Sequence, residues 1–164
     1  MRPSRLAVGG VVALWTGLLV TALASWADLN LDSLGCVKPQ VALLRDKTIG
    51  ITQEELQVAV VTKVKAQLPN LRLDAVACSN VLYLGVSVMA TGDEGRSSGH
   101  FGAVRLEVLR SAIILDTMGR TQVTAWQQES LLGGPPGSER ATILNTLDSL
   151  IGNFASAYQK AGNP

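Results

Sequence analysis

Leu82, Leu84, Val86 and Val88 alternate with Tyr83, Gly85 and Ser87. A period of two with one wholly apolar face predicts a half-buried β-strand over Val81–Ala90. Val104, Leu106 and Val108 alternate with Arg105 and Glu107 in the same way, within a longer strand predicted over Phe101–Leu115. A further strand is predicted over Thr121–Leu131, with Thr124, Trp126 and Gln128 on one face. The polar, glycine-bearing segments Thr91–Gly99 and Asp116–Arg120 join these three strands as turns, so they should form an antiparallel meander. Upstream, Val41–Leu44 and Leu71–Val76 are short strand candidates, and Asp28–Lys38 looks irregular.

Two segments switch to the helical period. Leu56, Val60, Val64 and Leu68 recur every four residues. Thr52 and Glu55 are spaced as a capping box, and Ile51 can staple onto Leu56. Pro69-Asn70 stops this helix. After the rigid Gly133–Gly137 break, Ser138 is placed to cap a second helix with Ile143, Leu147, Leu150, Phe154 and Tyr158 on its apolar stripe. The element order is therefore β-α-β-β-β-β-α. It predicts an α+β two-layer sandwich, with a mostly antiparallel sheet of four to five strands and both helices on one face. One domain over residues 41–160 follows an irregular lead-in over 28–40. The face away from the helices, carrying Tyr83, Ser87, Arg105 and Glu107, is half polar and open to contacts.

Residues 1–27 stand apart. Leu6–Ala27 carries no charge, with Arg2 and Arg5 before it and Asp28 after it. Basic residues, an apolar run and small residues at Ser25 and Ala27 are the layout of a secretory signal cut after Ala27. The uncharged run Leu6–Ala24 is 19 residues, longer than the usual signal core of about 7–15. It approaches the roughly 20 residues that span a bilayer as a helix. Cleavage and retention as an anchor both stay open, and both send the remaining chain across the membrane. The expected location is the periplasm or the extracellular space, or a membrane-anchored domain outside the cytoplasm.

Of the 164 residues, 14 are Lys or Arg and 13 are Asp or Glu. Removing Arg2 and Arg5 leaves 12 cations against 13 anions, a net charge of −1. That balance argues against nucleic acid and against an anionic surface as partner, and leaves membrane contact to residues 6–27 if they are retained. Cys36 and Cys78 are the two cysteines. In an oxidising compartment an even pair suggests a disulfide, closing a loop worth about 4 kcal/mol in the chain-entropy model. Two separate thiols, or lipidation at Cys36 in the degenerate Ser33-Leu34-Gly35-Cys36 box, are the competing readings.

No catalytic, cofactor-binding or metal-binding residue is assigned. His100 is the single histidine and reads as a solvent-exposed loop residue; without a second histidine it lacks the usual company of a metal site. Neither phosphate-loop pattern occurs. Glu54-Glu55 suits a helix start, and Asp93-Glu94 suits a solvated loop. Arg105 should pair with an acid across the sheet, Glu107 or Glu129 being candidates. Trp126 suits either the core or an exposed anchor. Tyr83, Arg105 and Trp126 are thus the candidate contact surface.

The strand-then-Gly50-Ile51-Thr52 helix start, the Leu82–Val88 strand, the Thr/Ala-Trp step at 124–126 and the closing helix near Tyr158 together cover about residues 41–160. In this order the chain resembles small exported bacterial α+β proteins. More remotely it is similar to domains of envelope-assembly lipoproteins, such as penicillin-binding-protein activators and the amino-terminal domain of TolB. The resemblance is one of pattern and carries no residue across. It implies a non-enzymatic binding or assembly role toward a protein or envelope component. An anchored accessory subunit of a membrane complex is the alternative, and a carboxylate-based hydrolase the second alternative.

Overall fold

The computed structural model describes residues 31–45, 50–74, 76–93 and 96–163. Ala27, the expected cleavage position, and the apolar leader lie outside them. Among the described residues five strands, β1 (Cys36–Arg45), β2 (Arg72–Leu73), β3 (Val81–Asp93), β4 (Arg96–Ile114) and β5 (Gly119–Gly134), accompany two helices, α1 (Gln53–Gln67) and α2 (Glu139–Lys160). The spatial order is β2-β1-β3-β4-β5. The fold is α+β, with both helices packed on the same apolar face of the sheet.

The core explains the periodicities. Leu82, Leu84, Val86 and Val88 of β3 and Val104, Leu106 and Val108 of β4 are buried. Leu56, Val60 and Val64 of α1 and Ile143, Leu147, Leu150, Ile151 and Phe154 of α2 cover them. The Thr52 capping box forms in full, with Glu55 N donating to Thr52 Oγ1 and Thr52 N to the Glu55 carboxylate, each at 3.1 Å. Ser138 does not cap α2 through its side chain. Its hydroxyl instead donates to the Pro135 carbonyl at 2.9 Å, and Glu139 accepts the Gly137 amide at 3.0 Å.

Four details of the sheet extend or correct the expectations. First, the sheet is mostly antiparallel, as expected, with β3-β4-β5 as the meander, and it adds parallel pairs where β1 meets β2 and β3. Second, β1 starts at Cys36, inside the segment read as irregular. Lys38-Pro39-Gln40 masked it, because proline is rare within sheets. The Lys38 amide donates to Asn80 O at 2.8 Å. Pro39 therefore turns its missing donor to the other edge, where β2 has already ended. There Gln53 and Gln57 of α1 donate to the carbonyls of Val41 and Pro39.

Third, β2 is two residues rather than six. Asp74 ends it by accepting the amides of Val76 and Ala77 at 2.9 and 3.0 Å, a local turn that competes with strand pairing. Fourth, Thr91–Gly99 is not a broad loop. β3 and β4 stay paired through Asp93 and Arg96, with an irregularity at Thr91/Gly92. Cys36 and Cys78 form a disulfide, tying the start of β1 to the segment before β3, with Cα atoms 6.0 Å apart. Among the described residues no helix is long and apolar enough to cross a membrane.

Candidate functional site

The sheet face away from the helices is built in cross-strand rows. Gln40, Tyr83, Glu107 and Gln127 form one row; Ala42, Gly85, Arg105 and Glu129 the next; Leu44, Ser87, Ala103 and Leu131 the third; Met89, Phe101 and Gly133 the fourth. Small side chains in the middle rows leave a shallow concavity of about 330 Å³. Its floor is Ala42, Gly85, Ser87 and Ala103, and Tyr83, Leu44 and the charged trio Arg105, Glu107 and Glu129 border it. Gly85 makes room for the neighbouring ring. A Cβ at this position would lie 3.2 Å from the Tyr83 ring, which folds over it.

The charged border is partly self-satisfied. Arg105 Nη2 donates to Glu107 Oε2 at 2.6 Å and to Gln127 Oε1 at 3.0 Å. The acid that pairs with Arg105 is thus its own-strand neighbour two residues on, which shares its face. The Arg105 side chain remains 44% exposed and Glu107 is nearly buried, so the guanidinium presents its outer edge to solvent. Glu129 stands beside it in the next strand. Toward one end the face turns apolar. Leu44 is 73% exposed, Leu131 83%, Met89 50% and Phe101 48%. Apolar groups left this open in one contiguous patch mark a contact surface.

Of the three residues expected at a contact surface, Tyr83 and Arg105 lie on this face. Trp126 does not. Val108 pairs with Trp126 and Leu109 with Thr124, so Ala125 is an extra, bulged residue. The bulge breaks the alternation that would have kept Thr124 and Trp126 on one face, and both Ala125 and Trp126 are buried. The Trp126 ring packs against Phe154 of α2, with centroids 5.4 Å apart. Leu44, Met89, Phe101 and Leu131 were missed as site residues. Their signal was a run of apolar side chains at positions of polar-face parity, legible only once strand register is known.

His100 is also corrected. It is no loop residue but a buried member of β4, opposite Gly134 and on the helix side. Neither ring nitrogen has a hydrogen-bond partner among the described residues, and Nδ1 lies 3.6 Å from Glu139 Oε1. It is therefore on the opposite side of the sheet from Ser87, and the two cannot act as a nucleophile and base. No cluster of metal-ligating side chains occurs among the described residues. Two carboxylates, Glu107 and Glu129, do share the open concavity. A second depression, lined by Ile51, Val58 and Leu144 among others, lies over the seam of α1 and α2. The ion pairs Glu55–Arg140 and Lys63–Asp148 bind that seam together.

No family model matches the chain, and no curated protein does. Among the solved structures that are distantly similar are two of one protein. One is a dodecamer of PelC from Paraburkholderia phytofirmans, with 14% identity and a TM-score of 0.43, covering 74% of this chain and 86% of that one. The other is a dodecamer of a single-substitution variant of the same protein, with 14% identity and a TM-score of 0.42, covering 78% and 89%. A likeness of this size assigns neither family nor function to the chain.

Proposed function

We propose that the chain is an exported, non-enzymatic binding domain of the bacterial cell envelope that takes a partner protein on the open face of its sheet. The observation that carries this reading is the set of exposed apolar side chains Leu44, Leu131, Met89 and Phe101, from two neighbouring rows, beside a floor of small residues. Burying such a patch is worth roughly 25 cal/mol per Å² of apolar area. Arg105, Glu107 and Glu129 border the patch as the polar rim that fixes orientation. β5 is an edge strand of the sheet, so a partner can take the face and add to the edge together. The uncharged leader supports export.

Site-specific photo-crosslinking in intact cells tests the proposal. A crosslinker at Leu131 should trap a discrete adduct with another protein, and one at Val58 on the outer side of α1 should not. Ala103→Arg, which fills the concavity floor, should abolish the adduct while leaving the circular dichroism spectrum unchanged. Equal trapping at both positions would overturn the reading.

A carboxylate-based hydrolase is the second reading, favoured by one observation, the presence of Glu107 and Glu129 in one concavity. Turnover of a substrate by the purified chain, abolished by Glu129→Gln, would establish it and displace the binding proposal.

A further inference from the structure

β4 and β5 run on past the rest of the sheet. β3 begins at Val81, opposite Leu109, so Arg110–Ile114 and Gly119–Val123 pair in the sheet only with each other. This two-stranded arm and its turn expose Ile113 (58%), Ile114 (47%), Leu115 (83%), Met118 (75%) and Val123 (46%). Ile113 and Ile114 are consecutive in one strand and point to opposite faces. The arm therefore has no inner side on which to bury its apolar groups. A two-stranded ribbon is marginal by itself in water, and an apolar patch at its tip calls for a cover.

The arm stands at the end of the sheet where the chain enters. β1 and β3 are parallel and β4 is antiparallel to β3, so Cys36 and Val81 share that end with Ile114 and Gly119. The entry segment is fixed at the base of the arm. Arg110 Nη1 donates to the Asp32 carbonyl at 3.0 Å. Asn163 Nδ2 and Tyr158 Oη hold the carbonyls of Leu31 and Leu34 at 2.8 and 3.1 Å. Only Asp28, Leu29 and Asn30 separate Ala27 from Leu31. Chain geometry keeps the last leader residue within about 14 Å of Leu31. The arm itself reaches about 17 Å beyond Leu109. A leader crossing a bilayer would thus be tethered close enough to the arm for the membrane surface to meet its tip.

We propose that, with Leu6–Ala27 spanning a bilayer, the tip of the β4–β5 arm docks into the outer lipid surface of the same membrane. This rests on the anchor reading of the leader and is separate from the open-face proposal. Ile114, Leu115 and Met118 enter the boundary between headgroups and acyl chains, as apolar groups of interfacial elements do. Arg120, exposed and opposite Ile113, stays at the level of the headgroup phosphates. Asp116, the acid of the arm, lies in the turn and remains in the headgroup water. Leu44, Met89, Phe101 and Leu131 lie toward the other end of the sheet, facing away from the lipid.

The full-length chain, with its native disulfide intact, is reconstituted into vesicles of phosphatidylethanolamine and phosphatidylglycerol. It carries an environment-sensitive label at Leu115→Cys or, as control, at Leu131→Cys. Expected is several-fold stronger quenching at 115 than at 131 by lipids spin-labelled high on the acyl chain, with 115 shielded from aqueous iodide. A chain that floats with the vesicles but leaves 115 open to iodide overturns the arm proposal alone. A label at 115 shielded from both quenchers, with concentration-dependent energy transfer between chains, overturns it in favour of a second copy. A chain that does not float, or a native amino terminus at Ser25 or Asp28, overturns the anchor reading and leaves the open-face proposal standing.

Discussion

Glu139 Oε1, at the amino terminus of α2, lies 3.6 Å from Nδ1 of the buried His100 and accepts the amide of Gly137 at 3.0 Å. Its own backbone amide, then that of Gly137, and in smaller part His100, hold the Glu139 carboxyl below the ordinary glutamate range. Its folded value is depressed, so its contribution to stability is fully present above the ordinary glutamate range and is lost as pH falls through the folded value. Glu139→Gln should therefore lower stability at neutral pH and show a smaller loss on acidification than the wild type. Glu55 and Asp74 are also held low by backbone hydrogen bonds. The difference between the two melting-temperature profiles, taken down to about pH 3, isolates the Glu139 share.

His100 itself is expected to be dispensable. A buried polar group without a hydrogen-bond partner costs about 1–3 kcal/mol, and an apolar replacement of similar shape removes that cost while giving up only the minor electrostatic contact with Glu139. His100→Leu should be as stable as the wild type or more stable by up to about 1 kcal/mol. A loss above about 2 kcal/mol in urea unfolding would show that the ring is hydrogen-bonded after all.

Cys36 and Cys78 are 42 residues apart and joined. Closing a loop of that length constrains the unfolded chain by about 4 kcal/mol in the entropy model. The double variant Cys36→Ser with Cys78→Ser should lose an amount of that order, read as a fall in the urea midpoint, and the reduced wild type should match it.

Gly102 is held by backbone rather than by side chains. A Cβ there would lie 2.0 Å from the Ser87 carbonyl oxygen and 2.9 Å from Val88 Cα. Neither can swing aside, so Gly102→Ala should force β3 and β4 apart and cost at least about 1–3 kcal/mol. Gly133→Ala, whose nearest contact would be 3.8 Å, is the tolerated comparison. Chemical denaturation of both variants checks the contrast.

Burial pushes the Tyr158 phenol above its ordinary value, and its hydroxyl donates to the Leu34 carbonyl at 3.1 Å. The neutral form is the one the fold prefers. Its stabilising share is thus present below the ordinary phenol value and is lost as pH rises through the folded value. Tyr158→Phe should cost about 1 kcal/mol at neutral pH and flatten the alkaline limb of the melting profile.

Local information was enough for much of the fold. The capping box at Thr52 and Glu55 sets α1 because both partners lie within one turn. The alternation of β3 sets its buried face because every second residue must meet the same surroundings. The stripe of α2 likewise announced its packing side. Pro39 hid the start of β1, since its tolerance depends on which edge β2 leaves empty. Asp74 cut β2 short through a turn that pairing propensity does not weigh.

Tyr83 and Arg105 could be placed on the open face from parity alone. Trp126 could not, because a single bulged residue at Ala125 reverses parity, and a bulge is a property of two strands rather than one. His100 looked like a loop residue until β4 was seen to continue through it beneath the start of α2. The exposed patch of Leu44, Met89, Phe101 and Leu131 comes from four hydrogen-bonded strands, and the arm beyond Leu109 exists because β3 starts where it does. Periodicity along the chain, which local sterics and burial impose, thus determined the elements, their order and the helix-covered side. Register, bulges and strand ends depend on contacts between residues far apart in the chain, so only the tertiary structure could decide which side chains meet on the surface.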